Sequence, residues 1–361
     1  MQTDETRYSL ALKSIHGVGI VGANKLLAHF KSARAIFEAS PDALAHAKLK
    51  PEVIRQITQF DPASLDSIIA WGQADNRHII PLHSPYYPPL LAQIHHPPLL
   101  LFAIGNPELL LSPQIAVVGS RSPTPQGLAN TQMLCQALAH EGITVTSGLA
   151  LGIDGEAHRA ALASQGFTIA VTGTGLNRVY PAIHRELAHQ IAQSGVLVSE
   201  SFPDEGHQQG SFPQRNRIIA GLSLGTLVIE AAQKSGTLIT ARHSLDEGRE
   251  VYAVPGSIHS PLSKGCHQLI KQGAKLVESI EDIMEDLPHL DRALVNRAHS
   301  DNKQPLDSET AEFLKHIDYE VTSVDTIVMR SQLTVEAVTN KLLSLELEGW
   351  VINSVGGYIR Q

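Results

Sequence analysis

The side chains with the clearest chemical potential are three arginines near glycine-rich turns. Arg121 closes the run Gly119-Ser120-Arg121, and Arg215 and Arg217 flank Asn216 in Ser211-Phe212-Pro213-Gln214-Arg215-Asn216-Arg217. A guanidinium is a planar fork of N–H donors that grips two phosphate oxygens at once, and glycine lets backbone N–H groups approach the same anion. Phe212 and Tyr180 add π-faces for stacking unpaired bases, each contact worth about 1–3 kcal/mol. Phosphate hooks beside aromatic platforms describe a site for a single-stranded polynucleotide. Each residue also has a structural reading. Arg217 can instead pair with Glu200 or Glu230, and Phe212 beside Pro213 can plug an apolar gap. Asp154 and His158 lie four apart and share a helix face, as an acid/base couple would, but capping and the helix dipole already account for an Asp at a helix start.

These residues need a scaffold. Short β-branched runs at 115–118, 143–146, 168–172, 196–199, 226–229 and 251–254 are apolar on both faces, as buried parallel strands are. Amphipathic helical segments such as 127–140, 156–163 and 185–193 alternate with them. The pattern predicts an α/β fold with an extended Rossmann-like parallel sheet, to which 79–81 and 99–104 add strands at one side. Ligands of such sheets bind beyond the carboxyl ends of the strands. Those ends are marked here by Gly119-Ser120-Arg121, Ser147-Gly148 with Gly152-Ile153-Asp154, Gly173-Thr174-Gly175, Ser235-Gly236-Thr237 and Pro255-Gly256-Ser257. Five such turns on one edge point to an anion-binding surface.

Residues 1–78 have apolar positions at helical spacing, with His16-Gly17-Val18-Gly19 between two helices. That turn resembles a helix-hairpin-helix or SAM-like module, and a small packing module with a glycine turn is the alternative. The sheet domain is expected over 79–287 and a polar linker over 288–306. In 307–361, helices at 308–317, 323–330 and 335–348 precede a hairpin turning at Gly356-Gly357, the order of a winged helix. This segment carries four basic and nine acidic residues. Phosphate contacts supply most duplex affinity, so a protein-contact role fits it better.

The chain has 361 residues, 43% of them hydrophobic, and a formal net charge of −8, which excludes coating of nucleic acid by overall charge. A nucleic-acid site must be a local basic pocket. Cys135 and Cys266 stand alone and the 18 histidines form no HExxH pattern, so structural thiols and no metal site are expected. No apolar run approaches the roughly 20 residues of a membrane helix, and no export segment is evident, so the cytosol is the expected location.

Across residues 86–286 the sequence resembles the DNA-processing protein A family (DprA, also called Smf). The resemblance rests on VVGSR (117–121), SGLALGIDGEAHRAAL (147–162), GTGLNRVYP (173–181), SE (199–200), FPQRNRIIAGLS (212–223), SGTLITAR (235–242), GREVYAVPG (248–256) and GCHQLIKQGA (265–274). It implies a cytoplasmic, non-enzymatic protein without a cofactor that binds single-stranded DNA, commonly as a homodimer. It also implies loading of the RecA recombinase in natural transformation. By position, Arg121, Arg215 and Arg217 would hold phosphates. Gly119, Ser120, Ser147, Gly148, Gly173 and Ser235 would give backbone or hydroxyl contacts, with Asn216 and Gly236 in the same set. Where many family members place a basic residue after the Tyr-Pro pair, this chain has Ala182, and Arg185 is the candidate substitute. Leu269 and Ile270 form an apolar pair for a dimer surface or for the domain's own core.

Two other functions share this architecture. A dinucleotide-dependent oxidoreductase needs GxGxxG after the first strand, where this chain has Gly119-Ser120-Arg121-Ser122-Pro123-Thr124. A nucleotide-binding or nucleotide-hydrolysing protein of the phosphoribohydrolase type continues its glycine-threonine loop with glutamates, whereas Gly236-Thr237 runs into Leu238, Ile239 and Thr240.

Overall fold

The computed structural model describes residues 2–206, 211–287, 308–318, 321–347, 350–354 and 356–360, so the predicted linker lies outside the described residues. Two compact units result, Met1–Ala298 and His299–Gln361.

The first unit begins with six helices: α1 (Gln2–Ser14), α2 (Ile20–Phe30), α3 (Ala33–Phe37), α4 (Pro41–His46), α5 (Pro51–Thr58) and α6 (Asp66–Gln73). Their boundaries follow local chemistry. Ser32 and Ser40 accept N–H bonds from Ala35 and Ala43, and Pro41 and Pro51 open α4 and α5 with a preset φ. Leu12, Ile15, Leu26, Ile36, Leu44, Val53 and Ile57 close a small core between them. Gly17 takes φ +86° in the turn between α1 and α2. The His16 N–H donates to Gln56 Oε1 at 2.9 Å, and the His16 carbonyl accepts from Gln56 Nε2 at 3.2 Å. The turn is therefore tied to α5 inside the module.

These helices share a core with the sheet. Leu10, Ala11, Leu65 and Trp71 pack with Leu100, Phe102, Ala170, Leu187 and Ile191. Trp71 Nε1 donates to Asn177 Oδ1 at 2.8 Å. The change of pattern near residue 78 is thus a change of element type within one unit.

The sheet has nine strands: β1 (Arg77–Pro81), β2 (Leu100–Gly105), β3 (Gln114–Val118), β4 (Thr144–Ser147), β5 (Thr168–Thr172), β6 (Val196–Ser199), β7 (Gly225–Val228), β8 (Glu250–Ala253) and β9 (Lys275–Leu276). Their order is β1-β2-β6-β5-β4-β3-β7-β8-β9. Strands β3 to β9 run parallel, and β2 is antiparallel to both β1 and β6. The extended Rossmann-like sheet is as the sequence predicts. The two-residue β9 had no hydrophobic signal to announce it.

Alternation along each strand divides the core. Ala116, Val118, Ile169 and Val171 face a layer with Leu91 of α7 (Pro89–Ala92), Ile218 and Leu222 of α11 (Ser211–Leu222), Ala241 of α12 (Thr237–Asp246) and Cys266 and Leu269 of α13 (Lys264–Lys271). Ile115, Val117 and Val145 face α8 (Pro125–His140), α9 (Ile153–Ala163) and α14 (Ile280–Met284), while Ala170 and Leu197 pack on α10 (Arg185–Ser194). Leu269 is 6% exposed and Ile270 packs on the same cluster. Leu269 is therefore held in the domain core, while Ile270, packed against it, remains partly exposed.

Winding proceeds outward from β3 through β4, β5 and β6, then returns to β7 beside β3. Loops leaving β3 and β7 consequently diverge to opposite faces, and the crevice between them is where an open α/β sheet receives its ligand.

The second unit has the winged-helix order. Three helices, Ser308–Leu314, Val324–Ser331 and Val335–Leu347, precede the antiparallel pair β10 (Val351–Ser354) and β11 (Gly357–Arg360). Phe313, Ile317, Ile327, Val338, Leu342 and Val351 form its core.

Candidate nucleic-acid interface

At the switch point the loops after β3 and β7 are locked together. A Cβ on Gly119 would lie 2.5 Å from Ile153 Cγ1, so only glycine lets the first turn of α9 press on the end of β3. The Ser235 hydroxyl donates to Thr237 Oγ1 at 3.0 Å, and the Thr237 hydroxyl donates to the Gly119 carbonyl at 2.9 Å. Ser120 accepts the Ser122 N–H on its hydroxyl at 3.1 Å and the Ile153 N–H on its carbonyl at 3.1 Å. Arg121 is exposed beyond this tied turn, and Gly236 faces open space. The result is a rigid base carrying an accessible cation at the crevice.

Beside it, around β4, β5 and α11, the polar groups turn inward. Ser147 is fully buried and its hydroxyl donates to the Val117 carbonyl at 2.6 Å. Arg215 is 6% exposed, and its guanidinium donates to the Gly148 carbonyl at 2.5 Å and to the Val171 carbonyl. A Cβ on Gly148 would sit 2.6 Å from Arg215 Nη1 and 2.7 Å from Asp154 Oδ2, so this glycine makes room for both charged groups. Asp154 Oδ2 also accepts the Gly148 N–H at 3.2 Å. Arg215 therefore does not present its fork to a phosphate, a correction whose cause is burial among carbonyls. Burial lowers its pKa to about 10, against the pull of Asp154, so it stays protonated at neutral pH. Burial likewise pushes the Asp154 carboxyl upward, opposed by Arg215, by the N–H groups of Ala150 and Gly148, and by Arg121.

His158 belongs to the same interior. Thr168 donates its hydroxyl to the Val145 carbonyl at 2.7 Å, so it must accept from His158 Nδ1–H, also at 2.7 Å, which fixes the tautomer. Burial, followed by the nearby His184, Arg215 and Arg159, lowers the His158 pKa to about 3. Asp154 and His158 are both sealed in the fold and do not face a cleft as an acid/base couple would.

Arg217 is the second correction. Its Nη2 donates to Glu200 Oε2 at 2.7 Å, with side-chain exposures of 12% and 18%. The internal-pair reading holds for this residue, with Glu200 as the partner. Glu230 instead takes the Thr124 N–H at 3.0 Å and the Thr124 hydroxyl at 2.5 Å at the start of α8. Gly173 is buried and lines a small pocket with Thr172, Glu200, Ser201, Gln214, Arg215 and Ile218. Asn216 is half-buried, and the side chain of Phe212 lies outside the described residues.

Farther along the margin the loop after β5 is outward. Tyr180 is 50% exposed, and Arg185, on the first turn of α10, is exposed as is Ala182. Arg178 is exposed in the same loop and was not among the predicted residues. Its signal was present in sequence, a basic residue two positions before Tyr180. The Arg178 N–H donates to the Gly175 carbonyl at 3.1 Å, so its backbone is held while the side chain reaches outward. Strand β5 is two places from β3, about 10 Å at the usual strand spacing. The accessible set is thus Arg121, Gly236, Tyr180, Arg178 and Arg185, above a buried layer of Ser147, Gly148, Gly173 and Arg215.

Among the described residues no group of three or more His, Cys, Asp or Glu side chains is arranged to hold a metal ion. Cys135 and Cys266 are buried free thiols, and burial pushes Cys266 up to about 11.

Comparison with known proteins agrees with this architecture. Residues 78–288 match the family model for DNA recombination-mediator protein A, and 297–357 match the DprA winged helix domain. The chain is 41% identical to Protein Smf of Escherichia coli over 356 residues, covering 97% of this chain and 94% of that protein. It is 48% identical over 200 residues to the DNA processing protein DprA of Streptococcus pneumoniae, 55% of this chain and 71% of that one. The X-ray structure of the Streptococcus pneumoniae protein superposes with a TM-score of 0.70 at 37% identity, covering 77% of this chain and 97% of that chain. A DNA processing protein A from Helicobacter pylori, solved for its single-stranded DNA binding mode, matches with a TM-score of 0.52 at 30% identity, covering 56% and 92%. With the family model spanning more than half of its length and a relative matched almost end to end, this chain belongs to the DNA recombination-mediator protein A family.

Proposed function

We propose that the chain binds single-stranded DNA at the carboxyl margin of its sheet, catalyses no reaction on it, and hands it to the RecA recombinase in the cytoplasm, acting as a homodimer. The observation that carries this reading is the exposed Arg121 on a locked turn at the switch point, where the sheet's geometry delivers a ligand. Arg178 and Arg185 extend the cationic line and Tyr180 supplies a stacking face, on a molecule whose net charge of −8 forbids binding by bulk attraction. The single-stranded DNA binding of the Helicobacter pylori relative supports the choice of ligand, and the family's description as recombination mediators supports delivery to RecA. The burial of Asp154 and His158 supports a non-enzymatic role.

Fluorescence anisotropy with matched single-stranded and duplex oligonucleotides tests the binding. Preference for the single strand is expected. Arg121→Ala should weaken it and flatten the salt dependence by about 0.7 in slope, the contribution of one neutralised phosphate. Equal affinity for both forms, or an unchanged slope in the variant, would refute the assignment. The RecA step is read separately, as faster RecA filament growth on a strand pre-coated with single-strand-binding protein.

A further inference from the structure

We propose that Arg215 is a positioning residue, its buried guanidinium clamping the ends of β4 and β5 so that the loops after them hold the shape that receives the strand. This deepens the reading above and rests on it. Four elements meet at this group. It bonds the Gly148 carbonyl after β4 and the Val171 carbonyl in β5, it comes from α11, and it is electrostatically coupled to Asp154 of α9, which in turn accepts the Gly148 N–H.

Strand ends leave carbonyls without ladder partners, and burying them unpaired is costly. Both carbonyls are served by Nη1, whose two N–H groups diverge in the guanidinium plane and are held there by the rigid fork. Gly148 is the complementary feature, since any side chain there would displace the fork. The same cation is poorly placed to grip phosphate directly, because the residue is only 6% exposed and its Nη1 donors are taken by backbone carbonyls. Its effect on the ligand passes through the backbone of the loops at Gly148 and Gly173, which it bonds or borders.

The test compares the full chain with Arg215→Met and Arg121→Ala, titrating a labelled single-stranded oligonucleotide between about 50 and about 200 mM salt. The expected result is at least a tenfold loss of affinity for Arg215→Met with the wild-type salt slope, whereas Arg121→Ala lowers the slope by about 0.7. A slope lowered as in Arg121→Ala makes Arg215 a phosphate ligand and overturns the proposal, as does unchanged affinity. Arg215→Lys, which keeps the charge but not the fork, is read the same way should Arg215→Met not fold. Hydrogen exchange supplies an arm independent of DNA. Amides in 148–152 and 172–176 should exchange faster in the variant while those of β3 and β7 do not change, and unaltered protection of the two loops overturns the clamp. A wild type that binds no single strand defeats the function reading alone, and leaves the exchange result to decide this one.

Discussion

The turn after β3 and the first turns of α11 both deliver arginine to the same margin of the sheet, with opposite results. Arg121 leaves the sheet on a turn braced by Gly119, Ser120 and Thr237 and is exposed. Helix α11 lies over the sheet, and residues 215, 218, 219 and 222 form its buried stripe at helical spacing. Arg215 occupies the first position of that stripe, and Arg217, off to its side, meets Glu200. Identical side chains therefore divide into one exposed cation and two that are largely buried and bonded within the protein. A cluster of arginines in sequence says nothing about availability until the face each occupies is known.

The sharpest test of this contrast is acid. His158 has its folded pKa lowered to about 3 from an ordinary value of 6.5, so the unfolded chain binds the proton more readily. Stability from this group is complete above about 6.5 and is lost as pH falls toward 3, on the order of 5 kcal/mol at full extent. Asp154, whose carboxyl is raised by burial, acts with the opposite sign. Urea unfolding of the wild type and of His158→Asn at neutral and acid pH isolates the histidine, and the variant should lose distinctly less stability on acidification. Parallel losses in both would mean that the buried layer is not the acid-sensitive part.

Next in size is the Arg217 and Glu200 pair. Arg217→Ala leaves a mostly buried carboxylate without its cation and should cost about 2–3 kcal/mol in denaturant unfolding, somewhat below the full cost of breaking a deeply buried pair because both groups retain some solvent. Arg121→Ala should change stability by no more than about 0.5 kcal/mol, in keeping with a surface substitution, while altering the salt dependence of binding. If the two variants traded these phenotypes, the division into outward and inward arginines would be wrong. The smallest effect is expected on removing residues 306–361. Four basic against nine acidic residues make 307–361 a poor phosphate binder, so oligonucleotide affinity by gel shift should change less than about threefold.

Much of the fold was legible because buried parallel strands are continuous apolar runs, and six of them were placed to within a residue at 115–118, 143–146, 168–172, 196–199, 226–229 and 251–254. The glycine turns were legible for a similar reason. Gly119 and Gly148 sit where a Cβ would strike Ile153 or Arg215, and such close approaches leave glycine in the sequence. Strand β9 escaped because two residues with a lysine carry no period. The site was read less well. Arg215 could have been placed inward from its spacing to Ile218, Ile219 and Leu222, yet a charged residue is discounted when an apolar stripe is traced. Arg178 was passed over within its own motif. The partnership of Arg217 with Glu200 joins residues 17 apart on different elements, and the two candidate partners were indistinguishable before the chain was folded.

The order of residues alone determined the doubly wound architecture, the glycine-marked margin, the acidic winged unit and the family, because local periodicity and turn chemistry act over a few residues and leave their record in place. Which arginines are exposed was decided only in three dimensions. Burial of a cation depends on what closes over it, and here the enclosing groups, Gly148, Val171 and Asp154 around Arg215, are brought to α11 from more than forty residues away by the winding of the sheet.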